Sequence, residues 1–310
     1  DGIETVTHNG NKYIVHPAFV NEFIDDNNAS NDFLNGGWDT DLTGFWVAKY
    51  EMSRKQASID SPSYGTTTTF KSIPNVRSAS SITIGKMYTV SLSYDENKES
   101  HLMKNSEWGA VAYLTQSQYG RNGHEININN SSTHVTGNGG AGTDTENTSG
   151  VINAYNTQTG AKASSTGNIY GIYDLSGGLL EYQACFYKGG SSNALQTDTH
   201  GLNMTNEAKD EDGNYKSTKY ITTYDMGIRD FSLTEKFYQA GKVGDATKEM
   251  RKFSTTDNWF SDKSHFIFSS APFFLRGGYY QEGIGAGIFY GSYSDGYSGD
   301  TNAFRVVLAQ

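Results

Sequence analysis

Phe45-Trp46-Val47-Ala48-Lys49-Tyr50-Glu51-Met52 places aromatic and β-branched residues close to every second position, the period at which the side chains of a strand share one face. The stretch predicts a strand. Upstream, Tyr13-Ile14-Val15-His16 predicts a shorter one. Downstream the pattern changes at Asn105, where Asn105 or Ser106 supplies a helix cap and Glu107 falls in the first turn. An anion is favoured there by the positive end of the helix dipole. Trp108, Val111, Ala112 and Leu114 then form a broad apolar stripe, which Gly109 weakens without vetoing the helix. Ile82 to Leu92 is consistent with a second helix, but its β-branched residues leave a strand open as well.

Length and composition bound the rest. The chain has 310 residues, 35% hydrophobic and 13% aromatic, with 21 Tyr and 16 Phe. A disordered chain is poor in aromatics, so this one folds around Tyr and Phe more than Leu. The net charge of −10 repels polyanions and argues against nucleic acid and anionic membranes as partners. No run of 18 apolar residues is present, so no membrane insertion is expected. The single cysteine, Cys185, excludes an internal disulfide and a cysteine-based metal site. The start at Asp1-Gly2-Ile3, without an initiator Met or a basic n-region, reads as a mature or trimmed chain.

Four prolines against 35 glycines favour turns and irregular loops. Residues 120–167 form a long Asn/Thr/Ser/Gly-rich tract, a length that is normally functional or mobile. Residues 198–252 are polar and charge-mixed, without a period, and read as a second insertion. Gly137-Asn138-Gly139-Gly140-Ala141-Gly142 matches the letters of a dinucleotide fingerprint. It lacks the helix that would hold a pyrophosphate, and is read as a loop. Asp210-Glu211-Asp212-Gly213-Asn214 has the flavour of a calcium loop. Its sixth and twelfth positions hold Tyr215 and Ile221 where Gly and Glu are needed, so it is read as an acidic turn. Among the seven histidines, His101 and His124 are candidate ligands, but a lone His is more often a hydrogen-bonded structural residue. No sequence signature of nucleophilic catalysis occurs.

The stretch from Gly277 to Ala303 stands apart. It contains no Lys or Arg, recurrent glycines, and Tyr, Ser and Asp between them. Antibody paratopes enrich these residues, because Tyr offers a large contact area with few torsions to freeze. A set of short glycine-rich strands with packing tyrosines fits the composition equally well.

Four blocks carry a resemblance that favours the first reading. Phe45 to Glu51 resembles the FWVGKYE strand of the formylglycine-generating-enzyme superfamily, and Gly171-Ile172-Tyr173-Asp174-Leu175-Ser176-Gly177-Gly178-Leu179-Leu180-Glu181-Tyr182 resembles its GLYDMSGNVWEW signature. Phe274-Leu275-Arg276-Gly277-Gly278 and Ala303-Phe304-Arg305-Val306-Val307-Leu308 are similar to its LRGGSW and GFRVVL endings, and the order of the blocks is the family's. With the segment from His101 to Leu114, the chain most resembles the variable proteins of diversity-generating retroelements, in their phage and prophage branch. The resemblance implies an α+β chain with a C-type-lectin-like fold, short strands, two main helices and much irregular loop. It implies one elaborated domain over 1–310, with an N-terminal strand and extension at 1–44, insertions at 120–167 and 198–252, and a variable ligand-binding region at 276–305. In such systems mutated template adenines turn Asn codons into Tyr, Ser, Gly, Asp and similar residues. Nearly every residue from Tyr279 to Ala303 lies in that set, whereas Gln281 and Glu282 do not.

The function implied is ligand or receptor binding without catalysis or cofactor. Enzymatic relatives carry a catalytic cysteine pair in the C-terminal third, where this chain has no cysteine. The expected contacts are Tyr279, Tyr280, Gln281, Glu282, Tyr290, Ser292, Tyr293, Asp295, Tyr297 and Asp300. The rings of Tyr290, Tyr293 and Tyr297 are expected to face the partner, although strand alternation turns about half of such a set inward. Arg276 and Arg305 are expected to be scaffold. The expected partner is a protein or glycan receptor on a cell surface, met at a phage tail or on a bacterial surface. A homo-oligomer is compatible with this, although no coiled-coil heptad enforces one. Two alternatives stay open: a metal-dependent oxidase or oxygenase-like enzyme, which needs a His/carboxylate facial set, and an inert structural tail domain. Metal binding is not decided by the sequence.

Overall fold

The structure is a computed structural model that describes residues 5–8, 10–14, 16–19, 38, 42–57, 69–140, 153–230, 234–250 and 259–309. From the N-terminus come β1 (Thr5–His8), β2 (Asn11–Ile14), β3 (Phe45–Val47), β4 (Met52–Arg54), β5 (Phe70–Ser72), α1 (Ile84–Leu92), β6 (His101–Leu102) and α2 (Asn105–Gln116). The chain continues through β7 (Leu180–Tyr187), α3 (Ser192–Leu195), α4 (Leu202–Glu207), β8 (Thr222–Tyr224) and α5 (Thr234–Ala240). It closes with β9 (Phe273–Gly277), β10 (Gly287–Ser294), β11 (Asn302–Ala303) and β12 (Val306–Ala309). Few helices and several sheets make this a mixed helix-and-strand chain, compatible with α+β.

β7 organises the largest sheet. β9 runs antiparallel along one of its edges, and β10 pairs antiparallel with β9. β11 and β8 are both parallel to β7, at its start and its end respectively. A second sheet has the order β3-β12-β6, and β4 pairs with β5. One apolar cluster holds Tyr182, Phe186, Phe273, Leu275 and the inward face of α1. Another holds Trp108 and Val111 of α2 with Ile288 and Phe289 of β10. A third gathers Cys185, Tyr224, Phe237, Phe266 and Phe274. Successive residues of β7 and β9 thus bury opposite faces, as the two-residue period requires.

The helix expected from Asn105 forms, and the stretch left open between helix and strand at Ile82 to Leu92 is a helix. In α1, Thr83 caps the first turn by accepting from Lys86 N at 3.2 Å. Its β-branched residues are tolerated because Ile84, Met87, Tyr88 and Val90 are buried, and packing outweighs propensity. In α2 the cap is Lys104, not Asn105 or Ser106. Its N–H donates to Glu107 Oε2 at 2.9 Å, so Glu107 serves the helix end by a hydrogen bond as well as by charge. Gly109 has a packing reason. A Cβ there would lie 1.9 Å from the carbonyl oxygen of Gly244, so only glycine lets the 244–245 backbone cross the helix.

Three expectations need correction. Phe45 to Met52 is not one strand: β3 ends at Val47 and β4 begins at Met52, in different sheets. The chain turns between them because Lys49 O accepts from Tyr173 N at 2.8 Å, and buried Glu51 accepts from Leu179 N at 2.9 Å and from Ser78 Oγ. Residues 198–252 are more than an appended loop, since β8 joins the main sheet and Asp245 and Thr247 are buried. The described parts of 120–167 carry little regular structure, yet Ile126, Ile128, Asn129, Val135 and Asn138 are buried. Asp174 holds this tract by accepting from Gly137 N and Asn129 Nδ2, both at 2.8 Å. In the N-terminal extension β2 takes in Tyr13 and Ile14 of the expected strand and pairs with β1, while His16 is not in a strand and Val15 lies outside the described residues. Most of 20–41 lies outside the described residues.

Candidate binding face

Two fully buried arginines bracket the C-terminal segment. Arg305 makes a bidentate pair with Glu181, Nε to Oε2 at 3.0 Å and NH2 to Oε1 at 2.5 Å. It also donates to the carbonyls of Ala48 (2.6 Å) and Tyr173 (2.8 Å). Burial opposes its charge most strongly, but Glu181, Asp174 and Glu51 outweigh burial and hold the guanidinium above its ordinary value. Burial pushes Glu51 well above the carboxylate range, with Asp174 and Glu181 adding to the push. The one side chain of Arg305 locks the turn after β3, the Tyr173 loop and β7 to the chain just before β12.

Arg276 differs in kind. Its NH2 donates to Asp245 O at 2.7 Å, NH1 to the carbonyls of Ala246 and Tyr290 at 3.3 Å each, and Nε to Asn105 Oδ1 at 3.0 Å. Burial lowers its pKa, while Asp245 opposes that shift. The guanidinium joins α2, the 245–246 loop and β10. Both arginines act as the scaffold that the sequence suggested.

Between them, residues 278–286 join β9 to β10 as a hairpin tip. Gly277 and Gly278 enter it at φ +83° and +73°, angles that side-chain-bearing residues rarely adopt. The register shifts between Gly287 and Gly291, a bulge of the sort that re-aims side chains. Asp262 Oδ2 accepts from Phe289 N at 2.8 Å beside it. Gly287 and Gly291 sit where other side chains approach closely: a Cβ on either would meet Asp262 Oδ1 at 2.0 Å or Met250 Cε at 2.2 Å, so a neighbour would have to shift. Part of the glycine richness is therefore scaffold.

The ten expected contacts separate into three environments. At the tip, Gln281 is exposed and Tyr279 and Tyr280 are half-buried. Tyr279 Oη donates to Gln281 Oε1 at 3.1 Å, and the two tyrosine rings meet edge to face at 5.6 Å. Asp300 is exposed. Further along, Asp295 and Tyr297 are exposed, Tyr297 to 56%. Their neighbour is His200, 3.6 Å from Asp295 by Nε2 and 6.0 Å from Tyr297 ring to ring. The remaining four lie lower. Tyr290 is buried, 4% exposed, and its hydroxyl leans on Glu282 Oε1 at 3.5 Å. Glu282 is itself ion-paired with Lys263. Tyr293 is half-buried against Phe268 (4.7 Å) and His265 (5.4 Å), and Ser292 is half-buried.

The expectation that Tyr290, Tyr293 and Tyr297 all face outward is thus corrected, because the bulged strand buries the first and half-buries the second. Tyr290→Ser is expected to cost about 3 kcal/mol, as large-to-small changes in a core do. Tyr297→Ser should stay within about 0.5 kcal/mol, as surface changes do. Thermal melts of the two variants check the difference, and equal melting temperatures would undo the division.

Sequence reasoning passed over His134, His200, Lys263 and Ile284. The first three come from other parts of the chain, so no local pattern marks them, although the long tract around His134 was suspect for its length. Ile284, exposed at 45%, lay in plain view at the tip. The candidate ligand His101 is buried, bonded to Glu107 Oε1 and Glu99 O at 2.7 Å each, whereas His124 is exposed. Cys185 is buried and its thiol pushed up by desolvation. Gly137 to Gly140 form a loop without strand or helix, and Ala141 and Gly142 lie outside the described residues. Asp210 Oδ1 accepts from the N–H groups of Asp212 (3.1 Å) and Asn214 (2.8 Å), which makes the acidic stretch a self-contained turn. Among the described residues, no three His, Cys, Asp or Glu side chains converge to hold a metal ion, and no helix is long and apolar enough to cross a membrane. No family model and no curated protein matches the chain.

Proposed function

We propose that this chain is a non-enzymatic ligand-binding protein with a C-type-lectin-like fold, displaying an exchangeable surface between Arg276 and Arg305. One observation carries the reading: exposed or half-exposed Tyr279, Tyr280, Gln281, Asp295, Tyr297 and Asp300 ride on a segment whose two ends are gripped by buried arginines. Rigid aromatic faces supply contact area and the polar groups fix orientation, as in paratopes. The partner is a protein or glycan receptor, met at a phage tail or on a bacterial surface.

The four core-directed positions narrow the display. Glu282, an unexpected residue for adenine mutagenesis of Asn codons, pairs with Lys263 and supports Tyr290, which gives it a structural reason to stay fixed. The flanking DNA tests the reading. A near-copy of the coding stretch for 278–303, differing at adenines and lying beside a reverse transcriptase gene, is expected. A locus with neither, together with related alleles that vary no more in 278–303 than elsewhere, would refute it.

A further inference from the structure

The hairpin tip does not stand alone. Against it lies the turn from Ser131 to His134, part of the long polar tract and outside the segment between the arginines. The turn is closed by His134 N donating to Ser131 O at 2.9 Å, and it presents exposed Ser132 and Thr133 with half-buried His134. The His134 ring lies 5.3 Å from that of Tyr280. Asp300 is close enough to act electrostatically on the imidazole, whose pKa burial lowers; Arg77 lowers it further and Asp300 opposes them.

The turn is also rigidly placed. Buried Ser131 accepts from Val135 N through Oγ at 3.2 Å, and its own N–H donates to Asn129 Oδ1 at 3.2 Å. Asn129 Nδ2 reaches Val135 O (2.9 Å) and Asp174 Oδ1 (2.8 Å), while Ser78 N donates to His134 O at 2.9 Å. One residue then sets the turn against the hairpin. Gly178 N donates to Asn129 O at 2.7 Å, and Gly178 O accepts from Tyr280 N at 3.2 Å. Turn and tip therefore hang from the same residue in fixed register.

We propose that Ser132, Thr133 and His134 form a constant half of the binding face, contacting a protein partner at the same time as Tyr279, Tyr280 and Gln281. This inference rests on the reading of 278–303 as an exchangeable surface. Protein is the partner class favoured, because tyrosines beside small polar residues such as serine are what protein-binding paratopes combine. A preorganised edge beside a changeable one adds contact without adding ordering entropy at each exchange.

The test uses the full chain displayed on yeast, with Tyr279, Tyr280, Gln281, Asp295, Tyr297 and Asp300 randomised and panned on streptavidin. Binders are expected. Ser132→Arg and Thr133→Arg, both at exposed positions, should weaken most selected clones at least about tenfold (about 1.4 kcal/mol) while display level and melting temperature hold. Clones that bind equally well with either arginine overturn the constant half and leave the exchangeable surface intact. Failure to select any protein binder overturns the surface itself, and clones enriched only on an immobilised dextran control would replace protein with glycan as the partner class.

Discussion

Arg305→Ala is expected to cost about 3–5 kcal/mol, the range for removing one partner of a buried ion pair. The effect follows from what stays behind. Glu181 would be left buried with no counter-charge, inside a site where Asp174 already crowds it. The carbonyls of Ala48 and Tyr173 would lose their donor too. For a chain of this size the loss corresponds to a fall in melting temperature on the order of 10 °C. Circular dichroism melts at neutral pH read it directly. The paired change Arg305→Met with Glu181→Leu should recover much of the loss, because it removes the stranded charge. An alanine variant melting with the parent would mean that the pair contributes nothing.

A loss of similar size, at least about 3 kcal/mol, is expected for Arg276→Ala, by a different route. Its oxygen partners, three carbonyls and the Asn105 side chain, are neutral, so what remains is a set of buried oxygens without donors, at about 1–3 kcal/mol for each that stays unsatisfied. Arg276→Lys should recover only part, since an ammonium cannot reproduce the planar fork that serves α2, the 245–246 loop and β10 together. Hydrogen exchange separates this from simple unfolding: under native conditions the amides of Phe289 and Gly291 should lose protection before those of β7. Unchanged protection across Gly287–Ser294 in the alanine variant would show that β10 does not depend on Arg276.

How much of this was legible beforehand differed by residue. The helix at Asn105 was readable because its signals are local: a charged first turn and an apolar stripe. The arginines stood out because each sits in a block that carries the resemblance, at the two ends of a Gly-rich stretch with no other Lys or Arg. Tyr290 could not be placed, because the shift between Gly287 and Gly291 resets which face each side chain takes, and that shift depends on Asp262 and Met250 from elsewhere in the chain. The break after Val47 was hidden for the same reason: it is imposed by Tyr173, Ser78 and Leu179, none of them neighbours in sequence. The order in the tract around Asn129 was hidden by its polar composition, since buried asparagines and an aspartate hold it in place beside only a few apolar residues, Ile126, Ile128 and Val135.

The bonds of Arg276 to Asp245, Ala246 and Tyr290 all end on main-chain oxygens. Every amino acid brings the same oxygen, so this grip is blind to which side chain occupies position 290 or its neighbours. Tolerance of side-chain exchange is thereby built into this anchor, and what limits exchange along the strand is packing, as at Tyr290, and close approach, as at Gly287 and Gly291.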